Sequence, residues 1–223
     1  MHAARERTLG LEAHHRYGIV LAVALTTVLF LIIAPESSWS RAIGLLLSGG
    51  MLLTVVATSR GSVLVRERAV VLLALGTLAV VAAVGFAWIP QGVGAAVSAV
   101  LVLATLVQLV RGLAVLLRRR GVTVQAVVGA LGVYLLVGIV FAFVISAMAR
   151  LGAGPYFAQG TDGSESQRVY FSFTSMTTTG FGDLSPATRG GRAVAVLEML
   201  TGQIYLVTVI SLLVGNLRRR GDR

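Results

Sequence analysis

The chain has 223 residues, of which 56% are hydrophobic and only 13% charged, whereas soluble domains carry about a quarter charged residues. That balance places it in the membrane class. The absence of cysteine excludes disulfides, thiol catalysis and thiolate metal sites. The net charge of +10 comes entirely from arginine. Those arginines cluster at the ends of apolar segments, which fits membrane orientation better than nucleic-acid binding.

A helix needs about 20 apolar residues to cross a bilayer core of about 30 Å. Five segments meet that length with few charges: Tyr17–Ala34, Ala42–Ser59, Ala69–Ile89, Val93–Leu117 and Val122–Ala149. A sixth runs from Gly191 to Leu217. Pro35-Glu36-Ser37-Ser38, Ser59-Arg60-Gly61, Pro90-Gln91-Gly92, Arg118-Arg119-Arg120-Gly121 and Gly152-Ala153-Gly154-Pro155 punctuate them. Phe157–Gln167, rich in Gly, Ser and acid, reads as a solvated loop. Gln167–Asp183 is too short and too polar to span. Unpaired backbone is costly in lipid, so this stretch is expected to pack inside protein or line water.

The fold class expected is an all-α membrane protein: six transmembrane helices plus one re-entrant pore helix and loop. The divisions are a cytoplasmic tail over 1–16, a four-helix peripheral membrane domain over 17–121, a pore domain over 122–217 and a short basic tail over 218–223. With the N-terminus in the cytoplasm, 14 arginines lie inside and Arg41, Arg150, Arg168, Arg189 and Arg192 lie outside, a positive-inside arrangement. Both termini are then cytoplasmic in a multi-pass cell-membrane protein. A signal peptide fits the first span less well, because the apolar stretch is long and no small-x-small cleavage site follows.

Residues Met176 to Pro186 read Met-Thr-Thr-Thr-Gly-Phe-Gly-Asp-Leu-Ser-Pro. A potassium ion entering a narrow pore sheds water, and many close, uncharged ligands must replace it; backbone carbonyls do so without trapping the ion. Aiming successive carbonyls one way requires positive φ, which Gly180 and Gly182 supply on either side of Phe181. Thr178 can add a hydroxyl at the inner mouth. Asp183 stands at the outer mouth, where a carboxylate draws in cations.

The string Thr-Thr-Thr-Gly-Phe-Gly-Asp resembles the Thr-Thr-Val-Gly-Tyr-Gly-Asp filter of tetrameric potassium channels. The resemblance runs from about Val122 to Leu217 and does not clearly cover residues 1–121. It implies that carbonyls of Thr178, Thr179, Gly180 and Phe181 bind K+, that the Thr178 side chain completes the innermost site, and that Gly182 completes the exit turn. Thr179 departs from the usual valine. Phe181 departs from tyrosine and lacks the hydroxyl that ties the filter to its surround. The family's assembly implies a homotetramer, since one loop per chain forms a quarter of a closed ring. The partners expected are K+ as permeant ion, membrane lipid and further copies of the chain. No cofactor, nucleic acid or enzymatic activity is expected.

Around the filter, Val169–Thr177 is the expected pore helix, with the negative end of its dipole toward the ion path. Tyr170, Phe171 and Phe173 are candidates for filter packing. Tyr170 stands where the family's tryptophan bonds the filter aspartate, so a bond from its hydroxyl to Asp183 and simple aromatic packing are both open. Thr174 replaces the glutamate of some bacterial members. Glu198 is an expensive intramembrane carboxylate; it either bonds Thr174 or Ser175 behind the filter or reaches Arg192 and water. Gly202 is a gating hinge, a close-packing position, or both. Val209, Leu212, Leu213 and Gly215 approach the inner mouth.

A voltage sensor needs arginine at every third place in the fourth span. That span carries only Arg111 before Arg118–Arg120, and the first three spans contain no acid. His2, His14 and His15 occupy the N-terminal tail, and no ligand-binding domain is expected in the residues after Leu217. The rivals are a less selective cation channel, a transporter with four pore loops in one chain, and a non-conducting accessory subunit or membrane enzyme. The chain shows one pore-loop candidate and no catalytic constellation.

Overall fold

The computed structural model describes residues 2–57, 63–86, 88 and 91–221. Side chains at 2–16, 57, 63–70, 72, 85, 91, 119–120 and 217–221 lie outside that description. The Ser59-Arg60-Gly61 boundary, Pro90, the three histidine side chains and most of the arginines used for orientation therefore fall outside the described residues.

Helices dominate what is described: α1 (His2–Ile33), α2 (Ser38–Ala57), α3 (Val63–Gly85), α4 (Gln91–Arg120), α5 (Val124–Leu151), α6 (Glu165–Met176), α7 (Arg189–Ile204) and α8 (Ser211–Gly221), with a π-helical stretch over Tyr205–Ile210 between the last two. Among the described residues the only β pairing is a pair of isolated bridges, Phe157 with Thr161 and with Pro186.

Local chemistry sets the breaks. Pro35 ends α1, and Ser37 opens α2 by accepting from the Ser40 amide at 3.0 Å. Gly121 takes a left-handed φ of 66° after the arginine run. Thr123 then caps α5 by accepting from Ala126 N.

Four helical segments are long and apolar enough to cross a membrane: Ser38–Val56, Gly92–Arg118, Val124–Leu151 and Arg189–Asn216. Tyr17–Ile33 and Leu73–Val84 are shorter apolar helices among the described residues. The protein is thus an all-α membrane protein. Large apolar side chains such as Leu29, Leu75, Val100 and Leu103 point outward, as a lipid-facing surface requires.

Helix α5 is the hub, packed against α1, α4, α6 and α7, while α3 rests mainly on α2. The largest core joins α1, α4 and α5 through Val20, Ala24, Val102, Leu109, Val133 and Leu136. A second core joins the outer end of α5, the following loop, α6 and α7 through Ile145, Tyr156, Phe157, Phe171 and Ala195. Helix–helix association in lipid lacks a hydrophobic drive and depends on shape and polar contacts, so these close fits fix where α6 sits.

Two boundaries differ from the sequence expectation. Helix α6 begins at Glu165, not Val169, because Ser164 and Gln167 form a reciprocal capping box. That pair had been placed in the solvated loop. Helix α1 runs unbroken from His2, so the residues assigned to an N-terminal tail continue the first helix.

Candidate functional site

The site is built on the short helix α6 and the loop that leaves it. At its N-terminal end, two segments grip the first turn. Glu36 Oε1 accepts from the Glu165 amide at 2.9 Å, and Ser166 Oγ donates to Ile32 O at 2.8 Å. One helix turn in, Arg168 is almost wholly buried. Its Nε donates to Ser146 Oγ at 2.8 Å, and its Nη1 donates to the carbonyls of Asp162 and Gly163 at 3.1 and 2.6 Å. Burial, followed by the nearby Arg150 charge, lowers the Arg168 pKa from its ordinary value, while Glu165, Glu36 and Asp162 oppose the shift.

The middle of α6 turns Phe171 toward Tyr156 and Phe157, with edge-on ring contacts at 6.4 and 5.3 Å. Phe171 therefore anchors α6 to the outer loop. That loop pairs in turn with the segment before α7: Ala158 N donates to Ser185 O and Ala187 N to Tyr156 O, both at 2.8 Å.

At the inner end the helix carbonyls hold the loop. Thr178 N donates to Ser175 O at 3.0 Å, and Thr179 N and Gly180 N both donate to Thr174 O, at 2.9 and 3.1 Å. Thr174 thus supports the loop through its carbonyl, while its hydroxyl bonds Phe171 O at 3.1 Å. The hydroxyls of Thr177 and Thr179 lie 2.9 Å apart, and Thr177 Oγ1 donates to Phe173 O at 2.7 Å. A threonine at 179 gains a tie to the C-cap of α6 that valine cannot make.

Positive φ recurs at every second residue of the loop: Thr178 at 60°, Gly180 at 51° and Gly182 at 79°. Thr178 is the only non-glycine among the described residues in that region, a placement costing about 1–2 kcal/mol. Residues 177–183 are all exposed in the single chain. The Phe181 ring stacks on Tyr170 with centroids 6.0 Å apart and planes 10° off parallel. Burial first, then a hydrogen bond to Asp183 and the charge of Asp183, raise the Tyr170 phenol above its ordinary pKa.

Glu198 is fully buried behind α6. Its Oε1 forms a short hydrogen bond with Ser172 Oγ, not with Thr174 or Ser175 as anticipated. The helical phase of α6 points Ser172 at the place where α5 and α7 meet, and Ser172 Oγ also contacts Gly138 O at 2.9 Å. The alternative contact, Glu198 to Arg192, does not form: Arg192 Nε donates to Pro186 O at 3.1 Å.

Gly202 lies under the last residue of α6. A Cβ there would stand 2.5 Å from both Met176 Cγ and Met176 O. On the opposite side, a Cβ at Gly138 would meet Phe173 Cζ at 2.8 Å and Met176 Cε at 3.0 Å. Two glycines from α5 and α7 thus clasp the residue from which the loop departs, so close packing at Gly202 is real whatever its part in bending. The chain next enters the π-helical stretch, where Tyr205 Oη donates to Ala130 O at 2.8 Å and the ring stacks on Tyr134 at 6.0 Å.

Sequence reasoning did not single out Arg168, Ser172, Gly138, Met176, Tyr134, Tyr156 or Tyr205 as parts of this site. Of these, Arg168 entered that reasoning as one of the arginines placed outside, and Met176 as the first residue of the quoted string.

No curated protein and no solved structure matches the chain. A family model described as an ion channel matches residues 130–219, a segment that holds most of α5, all of α6, the loop with alternating φ, and the inner helix through the π-helical stretch.

Proposed function

We propose that this chain is a subunit of a potassium-selective channel, and that four copies surround an axis lined by Thr178, Thr179, Gly180 and Phe181. The observation that carries the reading is the alternation of positive φ at Thr178, Gly180 and Gly182 in an exposed loop, within the segment similar to ion channels. Backbone that alternates between left- and right-handed conformations turns successive carbonyls toward one side, which is what replacing a K+ hydration shell requires. Asp183 and the C-terminal dipole of α6 supply negative potential at the two ends of the path.

In this reading six spans form each subunit. Tyr17–Ile33 and Leu73–Val84, each flanked by further helix, complete the four longer segments. Both termini face the cytoplasm, as the arginine distribution favours. Helices α5 and α7–α8 line the pore, and the first four lie toward lipid.

Reconstitution of the purified protein into liposomes tests the proposal. A K+ gradient is expected to drive a passive, barium-blocked flux, and bi-ionic K+/Na+ conditions to give a reversal potential close to that of K+. A reversal potential near zero would assign a less selective cation channel. Absence of any flux from a tetramer would remove the reading.

A further inference from the structure

The Ser172–Glu198 contact does not balance with a charged carboxylate. Ser172 Oγ stands at hydrogen-bond distance from two oxygens, Gly138 O at 2.9 Å and Glu198 Oε1. A serine hydroxyl carries one proton, and a backbone carbonyl can only accept. If Ser172 donates to Glu198, its lone pairs face those of Gly138 O. If it donates to Gly138, they face Glu198 Oε1. One more proton is needed, and the carboxyl is the only group of the three that can carry it.

The surroundings agree. Glu198 is fully buried, and its Oε2 has no hydrogen-bond partner. Among the described residues, Ser172 is the side chain that hydrogen-bonds it. The titratable groups facing it are neutral phenols, Tyr134 from α5 and Tyr156 from the outer loop. The nearest basic side chain of α6, Arg168, is spent on Ser146, Asp162 and Gly163. The π-helical stretch presents Tyr205, bonded to Ala130 O. An ion without a counter-charge in such a place is strongly disfavoured.

We infer that Glu198 is held as the neutral acid, and that it donates its proton to Ser172, which donates in turn to the Gly138 carbonyl. This relay pins three helices, α7 to α6 to α5, at one point. Ser172 is two residues before Thr174, whose carbonyl holds the amides of Thr179 and Gly180. Glu198 is therefore a positioning residue for the loop, and its consequence for conduction rests on the channel reading above. Removal of the proton at alkaline pH leaves a bare buried carboxylate against α6, and the loop loses its fixed support.

Infrared spectroscopy of the full-length protein in liposomes tests the protonation directly. At neutral pH a protonated-carboxyl C=O band is expected, and Glu198→Gln should remove it. Glu198→Gln, neutral and able to donate through its amide, is expected to keep thermal stability close to that of the natural chain, whereas Glu198→Ala lowers it. K+ flux in the natural chain should fall as pH rises from neutral to alkaline, and Glu198→Gln should flatten that profile. A neutral-pH spectrum without the band, or with a band that survives Glu198→Gln, overturns the inference. So does an alkaline decline equally steep in Glu198→Gln. If the band behaves as expected in a protein that passes no ions, the relay stands and the channel reading falls.

Discussion

Buried hydroxyls behave differently in the two halves of the molecule. In the first four helices they turn back on their own backbone: Thr27 donates to Val23 O, Ser48 to Gly44 O, Ser98 to Gly94 O and Thr105 to Leu101 O, at 2.8 to 3.0 Å. In the segment from α5 onward they reach between elements. Arg168 bonds Ser146, Ser172 meets both Gly138 and Glu198, and Tyr205 bonds Ala130. A hydroxyl that bonds its own helix satisfies itself without specifying a neighbour, so these four place no helix against another. A hydroxyl that bonds across helices fixes distance and rotation together. The loop with alternating positive φ sits in the half built the second way.

The contrast can be tested by substitution. The largest effect is expected from Gly202→Val, which forces the inner helix off the Met176 backbone. Overpacking of this kind costs about 3 kcal/mol; a lower unfolding temperature and loss of K+ flux should both follow, and normal values for both would refute the clasp.

An intermediate effect is expected at Tyr156, whose phenol is pushed up to about 12 by burial and, once Glu198 is ionised, by that negative charge. The unfolded chain gives up the same proton near its ordinary value of 10.0. Stability from this group is therefore complete below pH 10 and is lost as pH rises toward about 12. Tyr156→Phe should remove up to one proton from the slope of stability against pH in that window. An unchanged slope would mean that the loop does not bury this ring.

The smallest effect is expected from Ser98→Ala in the peripheral bundle, within about 0.5 kcal/mol of the natural chain. Its hydroxyl serves only its own helix, and a large loss of stability or flux would erase the distinction between the halves.

Much of the segment from α5 onward was legible because its constraints are local. Gly180 and Gly182 announce positive φ one residue at a time, and the flanking apolar runs announce α5 and α7. The first turn of α6 was legible too, through Ser164 and Gln167, but the acidic and small residues around them read as loop. What could not be read was phase. Ser172, Thr174 and Ser175 lie within four residues, and only the rotation of α6 against α5 and α7 decides which meets Glu198. The π-helical winding over Tyr205–Ile210 carries no composition signal, and Gly138 becomes informative only once Phe173 and Met176 are seen against it.

The bonds from Ile32 and Glu36 to the head of α6 have a mechanical consequence. At 12 residues, that helix is a rod about 18 Å long. One end is tied to the hairpin between the first two helices, and the other carries the Thr174 oxygen to which the amides of Thr179 and Gly180 donate. A displacement of that hairpin is thereby passed along a stiff strut to the loop that follows α6, whatever sets it in motion.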